Sequence, residues 1–389
     1  MLGKNIEYKK FKLKKNSTNH SNKVLKIFKN LINEDSQILS SMGKDYKDSY
    51  GKKLILKLKK IDHITLIGMG GSILGAKSIY KFLKPKLKKF TFIDNFSNIL
   101  QKKNDKKNIT LIISKSGNTL ETISNSNIMV DKKKINIFIT ENKNNYLRRL
   151  ANKLKAEVVN HNNFIGGRYS VLSEVGMLPA QLMGFKPEKF RRLNQMVKNK
   201  NFTNSLIQNV SNILTLTKKN KTNSIILNYD DRSTDLFNWY QQLLAESLGK
   251  KSKGILPVVS SMPRDNHSLM QYYLDGVKNH FFTFFFVKEK NSKKIKNNEI
   301  YDSHFYLQNK NLNDIAFAQF AATERVFNKK NIPYRSFIIH ERSEETIGEL
   351  FTFFILETIL LAKAMKINPY DQPAVELIKD ETSKILKNS

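Results

Sequence analysis

The chain has 389 residues, of which 40% are hydrophobic and 26% are charged. This composition excludes a largely disordered chain, and the length predicts two domains rather than one. The net charge is +33, from 67 Lys and Arg residues against 34 Asp and Glu residues, but the lysines are spread along the whole chain. We therefore expect a solvated basic surface and no nucleic-acid partner.

The chain contains no cysteine, which excludes disulfide bonds, thiolate zinc sites and cysteine nucleophiles. Its first residues lack the apolar core of a signal peptide, and it has no stretch of about 18 apolar residues, the length that a membrane span needs. The sequence therefore predicts a cytoplasmic protein with no membrane partner.

Residues 1–50 have the apolar spacing of helices and predict a helical N-terminal extension. Beyond them, short apolar runs alternate with helical patterns, which is typical of parallel strands covered by helices on both faces. The runs lie at 64–67, 90–93, 109–113 and 135–139. We predict a first α/β domain over 51–195.

The same alternation returns in the second half of the chain. Predicted strands lie at 224–227, 281–287 and 335–339, with predicted helices at 234–248 and 315–327. This indicates a second α/β domain over 196–345. The apolar run 350–365 and the pattern that follows Pro373 predict helices in a C-terminal segment, 346–389.

Two loops that follow predicted strands have the composition of phosphate-binding sites. Gly68, Gly70 and Gly71 leave room for backbone amides to approach an anion, and Ser72 can bind phosphate or cap the next helix. In the second loop the hydroxyls of Ser114, Ser116 and Thr119 surround Gly117. Each loop alone fits an ordinary strand-to-helix turn with a capping residue equally well. Two such loops after strands of one sheet favour phosphate binding.

Two charged residues in the chain suit acid/base chemistry. Arg168 follows two glycines and can reach into a cleft as a permanent cation, although a surface turn fits the same pattern. Glu246 shares a predicted helical face with Trp239 and Leu243, so we expect a partly apolar environment. Such an environment raises a carboxyl pKa toward that of a general base. A salt-bridged helix glutamate is the ordinary alternative.

His267 lies in a polar loop and can titrate near neutral pH, and Lys379 shares a predicted helical face with Gln372 and Glu376. Neither residue stands out from the sequence alone. We assign no role to the histidines that lack metal-ligand spacing, which are residues 20, 63, 161, 280, 304 and 340.

Together these segments are similar to the phosphoglucose isomerase (glucose-6-phosphate isomerase) family of glycolysis and gluconeogenesis. The matching segments are 67–75, 114–122, 166–173, 242–250 and 371–379, in the order that the family has them. The resemblance implies two sugar-isomerase (SIS) domains, each a doubly wound parallel α/β sheet. It also implies a C-terminal helix that returns to the active site, and a homodimer with that site at the subunit interface.

The resemblance also implies a role for each candidate residue. Glu246 would move a proton between carbon 2 and carbon 1 through a cis-enediol, and Arg168 would stabilise the negative charge of that intermediate. His267 of the neighbouring subunit and Lys379 would open the sugar ring. Substrate binding would fall to Gly71, Ser72, Ser114, Lys115 (by its backbone), Ser116, Thr119, Gln242 and Gln372. No metal or organic cofactor is expected.

Two alternatives stay open at this point. The Ser-Gly-Asn-Thr sequence at 116–119 also occurs in bifunctional phosphoglucose/phosphomannose isomerases, so mannose 6-phosphate is a second candidate substrate. A non-catalytic sugar-phosphate regulator with the same fold is the other alternative. Such a regulator would need the serine-rich loops, but not Glu246, Arg168 and Lys379 together.

Overall fold

The computed structural model describes residues 2–13, 20–86, 88–96 and 108–388. The strands are Ile6–Lys9 (β1), His63–Gly68 (β2), Lys89–Ile93 (β3), Asn108–Ile113 (β4), Ile135–Glu141 (β5), Glu157–His161 (β6), Asn223–Asn228 (β7), Leu256–Ser261 (β8), His280–Val287 (β9) and Tyr334–Ile339 (β10). The helices are Ser21–Ile32 (α1), Gln37–Ser41 (α2), Lys52–Lys57 (α3), Leu74–Leu83 (α4), Leu120–Met129 (α5), Tyr146–Lys153 (α6), Glu174–Leu182 (α7), Pro187–Phe190 (α8), Leu193–Lys198 (α9), Lys200–Lys218 (α10), Thr234–Leu248 (α11), Met270–Asp275 (α12), Leu312–Lys329 (α13), Glu344–Ala364 (α14) and Ala374–Asn388 (α15).

The first sheet is fully parallel and has the strand order β3-β2-β4-β5-β6. From β2 the chain adds β3 on one side and then β4 on the other, so the strand order reverses between β2 and β4. Ligands of open α/β sheets bind at such a switch point, beyond the carboxyl ends of the strands. Gly68 at the end of β2 is in register with Ile113 at the end of β4. The two predicted phosphate-binding loops therefore start side by side.

The second sheet has the order β1-β10-β9-β7-β8, and the four strands other than β1 are parallel. The predicted doubly wound α/β architecture is confirmed. The N-terminal extension, which we expected to be helical, also contributes β1, which pairs antiparallel with β10. Only four residues pair there, too few to give a clear alternation in the sequence.

Helix α11 joins the two halves of the molecule. It packs against α4, which follows the first predicted phosphate-binding loop, and against the almost fully buried α14. The Ser78 hydroxyl of α4 donates a hydrogen bond to the Asp235 carbonyl near the start of α11, at 2.8 Å. Arg232, just before α11, bonds the carbonyl of Phe82 at the end of α4, while Gly70, before α4, lies against Gln242 in the second half of α11, so the two helices run antiparallel. None of the described helices is long and apolar enough to cross a membrane.

A buried polar network fixes the core-facing side of α11. The side chains of Arg335 on β10 and Glu357 on α14 are fully buried and form an ion pair. The Tyr240 hydroxyl of α11 donates to Glu357 Oε1 at 2.6 Å, and Arg335 also donates to Asn209 Oδ1 of α10 at 2.9 Å. Burial, and next the charge of Glu357, raise the pKa of Tyr240, so its hydroxyl remains a donor. The network thus ties β10, α10, α11 and α14 together.

We expect Glu357→Gln to lower the free energy of unfolding by about 3–5 kcal/mol, because it leaves the buried guanidinium of Arg335 without its counter-charge. Urea denaturation of the purified protein measures this loss. The exposed Glu188 offers a control, and Glu188→Gln should change stability by less than about 0.5 kcal/mol. A Glu357→Gln protein as stable as this control would contradict the assignment.

Candidate active site

The first glycine loop makes direct contact with two other parts of the site. A Cβ atom built at Gly71 would overlap the backbone of Gly167, so only glycine permits this approach. A Cβ atom at Gly70 would lie 2.6 Å from the side-chain amide nitrogen of Gln242 on α11. The loop before α4 therefore lies against both the segment that carries Arg168 and the helix that carries Glu246.

The second loop brings its predicted hydroxyl groups together after β4. The Oγ atom of Ser114 lies 2.9 Å from Oγ1 of Thr119 and accepts a hydrogen bond from the Gly117 amide at 3.2 Å. Ser116 Oγ accepts from the Asn118 amide at 3.2 Å and is exposed. Thr119 is the N-cap residue of α5, whose free amides favour an anion. The arrangement has the form of a phosphate cradle.

The side chain of Lys115 points away from this cradle. Its ammonium group donates to the Asn163 carbonyl at 2.7 Å and lies 3.4 Å from Glu141 Oε1. This geometry is compatible with the expectation that Lys115 binds substrate through its backbone.

Arg168 is buried, with a relative exposure of 3%. A guanidinium group has five N–H donors, and the acceptors around Arg168 match that number. They are Ser247 Oγ (2.9 Å from Nε), Glu246 Oε2 (3.0 Å from Nη1), Gln372 Oε1 (bonded to Nη1), the Pro369 carbonyl (2.7 Å from Nη2) and the Asp371 carbonyl (3.0 Å from Nη2). Arg168 thus links a residue of the first half, helix α11 and the C-terminal segment.

The carboxylate of Glu246 lies in a more polar environment than the sequence predicted. Trp239 and Leu243 are buried on the same helix, but the oxygens of Glu246 contact polar groups. Oε2 pairs with Arg168 at 3.0 Å, and Oε1 accepts from Gln242 Nε2 at 2.9 Å. Glu246 is therefore a salt-bridged helix glutamate, which was the alternative interpretation of the sequence, and its partner is Arg168. About a third of the side chain, 31%, stays exposed.

Within a single chain, His267 and Lys379 do not join this cluster. His267 is exposed after β8 and lines a separate cleft at the carboxyl edge of the second sheet, together with Asp230 and Glu289. Lys379 is exposed on α15 and bonds Glu376 at 2.7 Å. Helix α15 has no buried residue. By contrast, Gln372, just before α15, reaches Arg168.

Sequence reasoning missed the residues that hold Arg168 in place. The Tyr169 hydroxyl lies 2.8 Å from Ser247 Oγ and donates to the Pro369 carbonyl at 3.0 Å. Burial raises the pKa of Tyr169, so the hydroxyl keeps its proton. The Trp239 indole donates to the Arg168 carbonyl at 3.2 Å. Their position in the sequence could have indicated them, because Tyr169 directly follows Arg168 and Ser247 directly follows Glu246.

Two hydroxyl- and glycine-rich loops at one switch point, next to an arginine–glutamate pair, define the class of sugar-phosphate isomerases built on the SIS fold. The family model described as phosphoglucose isomerase matches residues 16–389. The chain belongs to the phosphoglucose isomerase family.

Curated relatives agree with this assignment. A glucose-6-phosphate isomerase of Methanocaldococcus jannaschii is 32% identical over 349 residues, covering 85% of this chain and 86% of that protein. A glucose-6-phosphate isomerase of Mycoplasmopsis pulmonis is 33% identical over 360 residues, covering 85% and 84%.

Solved structures share the fold at lower identity. A hypothetical protein from Thermus thermophilus superposes with a TM-score of 0.80 at 22% identity, covering 94% of this chain and 95% of that one. A glucose-6-phosphate isomerase from Chlamydia trachomatis gives 0.71 at 17% identity, covering 94% and 83%.

The second loop yields a testable prediction. Gly117 has φ +65°, and a Cβ atom there would overlap the side-chain amide of Asn145, so Gly117→Ala should distort the cradle. Backbone strain of this kind costs about 1–3 kcal/mol, and we expect the Kd for inorganic phosphate to rise about tenfold or more. Isothermal titration calorimetry measures the Kd.

Gly51→Ala is the matched control, because a Cβ atom at Gly51 meets nothing within 4 Å and φ there is −103°. If Gly117→Ala binds phosphate as tightly as Gly51→Ala, the cradle is not the phosphate site.

Proposed function

We propose that the chain catalyses the interconversion of glucose 6-phosphate and fructose 6-phosphate, an aldose–ketose isomerisation. Membership of the phosphoglucose isomerase family supports this reaction. One structural observation carries the proposal. The Arg168–Glu246 pair lies against the glycine loop after β2, beside the hydroxyl loop after β4. An anion site and an acid/base group are thus adjacent, as the reaction needs.

In this proposal the phosphate of the sugar binds at the first sheet. Ser114, Ser116 and Thr119 supply hydroxyls, and the backbones of Gly71 and Lys115 supply amides, with Ser72 beside them. Gln242 and Gln372 contact sugar hydroxyls. Fixing the charged end of the substrate orients carbons 1 and 2 toward α11.

Glu246 then acts as the general base. It removes the proton from carbon 2 of open-chain glucose 6-phosphate and returns it to carbon 1 through a cis-enediol, while the hydroxyl proton on oxygen 2 passes to oxygen 1. As the carboxylate takes up the proton, negative charge moves from Glu246 to the substrate oxygens. Arg168, held between its fixed acceptors, remains next to that charge and stabilises it. No step of this sequence uses a metal or organic cofactor.

Ring opening requires two further residues, and we assign it to His267 and Lys379 in a homodimer. Both are exposed in the single chain, where a second subunit can meet them. Helix α15 also exposes apolar side chains, Leu377, Ile378, Ile385 and Leu386. Such a helix is suited to packing against another protein surface. The active site would then lie at the subunit interface, with His267 supplied by the neighbouring subunit.

Glu246→Gln tests the proposed base. We expect kcat for fructose 6-phosphate to fall about 10²- to 10⁴-fold, the usual contribution of a positioned base, with phosphate binding retained. The assay includes a chelator and quantifies glucose 6-phosphate and mannose 6-phosphate separately. Glu341→Gln, at an exposed glutamate, is the control. A Glu246→Gln enzyme with the kcat of the control would sink the assignment of the base.

Mixing two inactive variants tests the shared site. In a dimer that pairs Glu246 of one subunit with His267 of the other, a mixed Glu246→Gln and His267→Ala dimer keeps one intact site. Random reassembly of equal amounts should therefore restore about a quarter of wild-type activity. Each variant reassembled with itself is the control. If mixing restores nothing although mixed dimers form, each site uses the histidine of its own chain.

A further inference from the structure

Lys250 lies directly after the helix that carries Glu246, and a tight turn fixes its backbone. The backbones of Lys250 and Lys253 exchange two hydrogen bonds, of 3.1 and 3.0 Å. The two residues between them, Lys251 and Ser252, have φ values of 53° and 54°. Positive φ at both central residues is the signature of a type I′ turn. The Lys250 amide also donates to the carbonyl of Leu248, the last residue of α11, at 2.9 Å, so Lys250 is anchored to the end of that helix.

The ammonium group of Lys250 bonds three acceptors of the C-terminal segment. They are the carbonyl of Asn368 at 2.5 Å, the carbonyl of Asp371 at 2.6 Å and Oδ1 of Asp371 at 2.7 Å. An ammonium group has three N–H donors, so all of them are used. The hydrogen bond from Lys250 lowers the pKa of Asp371, which keeps its carboxylate charged near neutral pH.

Residues 368–372, named here the C-terminal strap, contact Arg168, which also contacts α11. Arg168 bonds the carbonyls of Pro369 and Asp371 and the side chain of Gln372. Beyond the strap, α15 has no buried residue. The strap is thus the last part of the described chain that is held firmly to the site.

We infer that Lys250 is a positioning residue that fastens the C-terminal strap to α11. It sets where Gln372 meets Arg168 and where α15, with Lys379, leaves the body of the protein. Lys250 itself contacts Asn368 and Asp371 rather than the proposed reacting groups. The inference rests on the proposed function, because Arg168, Gln372 and Lys379 belong to the proposed site.

Lys250→Met tests the inference, since it keeps the apolar stem and removes the three donors. We expect kcat/KM for fructose 6-phosphate to fall about 10- to 100-fold, mainly through kcat. The Kd for inorganic phosphate should stay at the wild-type value, because the phosphate loops do not contact Lys250. Lys250→Arg, which keeps charge and donors, should restore most of the activity. Lys253→Met, at an exposed lysine of the same turn, is the matched control.

Hydrogen exchange of peptides that cover 368–372 gives a readout independent of turnover. We expect faster exchange of the strap in Lys250→Met than in Lys253→Met. If the wild-type protein fails to isomerise fructose 6-phosphate, the proposed function is wrong, and exchange still judges the strap. Equal exchange in the two variants would overturn the inference. Faster exchange with unchanged kcat/KM would equally overturn the positioning role.

Discussion

The guanidinium group of Arg168 is the constraint on which the site depends. A buried cation is costly unless its donors are matched, and the matching acceptors come from helix α11 and from the C-terminal strap. Arg168 itself belongs to the first half of the chain, next to the glycine loop. The cation is therefore stabilised only when all three parts are in place. The same requirement brings Glu246 to the edge of the first sheet.

Helix α11 is held on two sides, which explains how one carboxylate can be placed accurately between two sheets. Toward the core, Tyr240 bonds Glu357 in the buried network around Arg335. Toward the first sheet, Ser247 and Glu246 bond Arg168. Tyr240 and Glu246 are six residues apart, about 9 Å along the axis of a rigid helix. The buried core network and the contacts with Arg168 thus hold the same short stretch of α11 in place.

The positions of the two loops that we propose to bind phosphate could be predicted from the sequence, because each loop is a local feature. Strand, glycine or hydroxyl turn and helix follow one another within a few residues, and parallel topology brings the two turns to one edge. Helix α11 was also predicted with its observed bounds, 234–248. Edge strands β6 and β8 were missed, since β6 has polar residues at both ends and β8 contains Pro257.

The partners of Arg168 could not be predicted, because they are distant in sequence. Two of its acceptors are backbone carbonyls, at Pro369 and Asp371, which leave no signal in side-chain chemistry. Lys250 was hidden for a different reason. Because the chain has so many lysines, the sequence gives no reason to single out Lys250. Its importance is seen only in the structure, where its ammonium group bonds three acceptors. The catalytic roles of Glu246, Arg168, His267 and Lys379 all stay predictions.

The four parallel strands of the second sheet repeat the order of the first four strands of the first sheet, yet the switch point of the second sheet is chemically different. Beyond β7 and β9, the carboxylates of Asp230 and Glu289 lie where the first sheet has hydroxyls and free amides. Both carboxylates pair with Arg342, at 2.7 and 2.5 Å. Glu289 also lies 3.6 Å from Arg232, so the two carboxylates already occupy the guanidinium groups that could otherwise bind a phosphate here. In the proposed function the two α/β units therefore have different roles: the edge of the first sheet binds the anion, and a helix of the second unit carries the base.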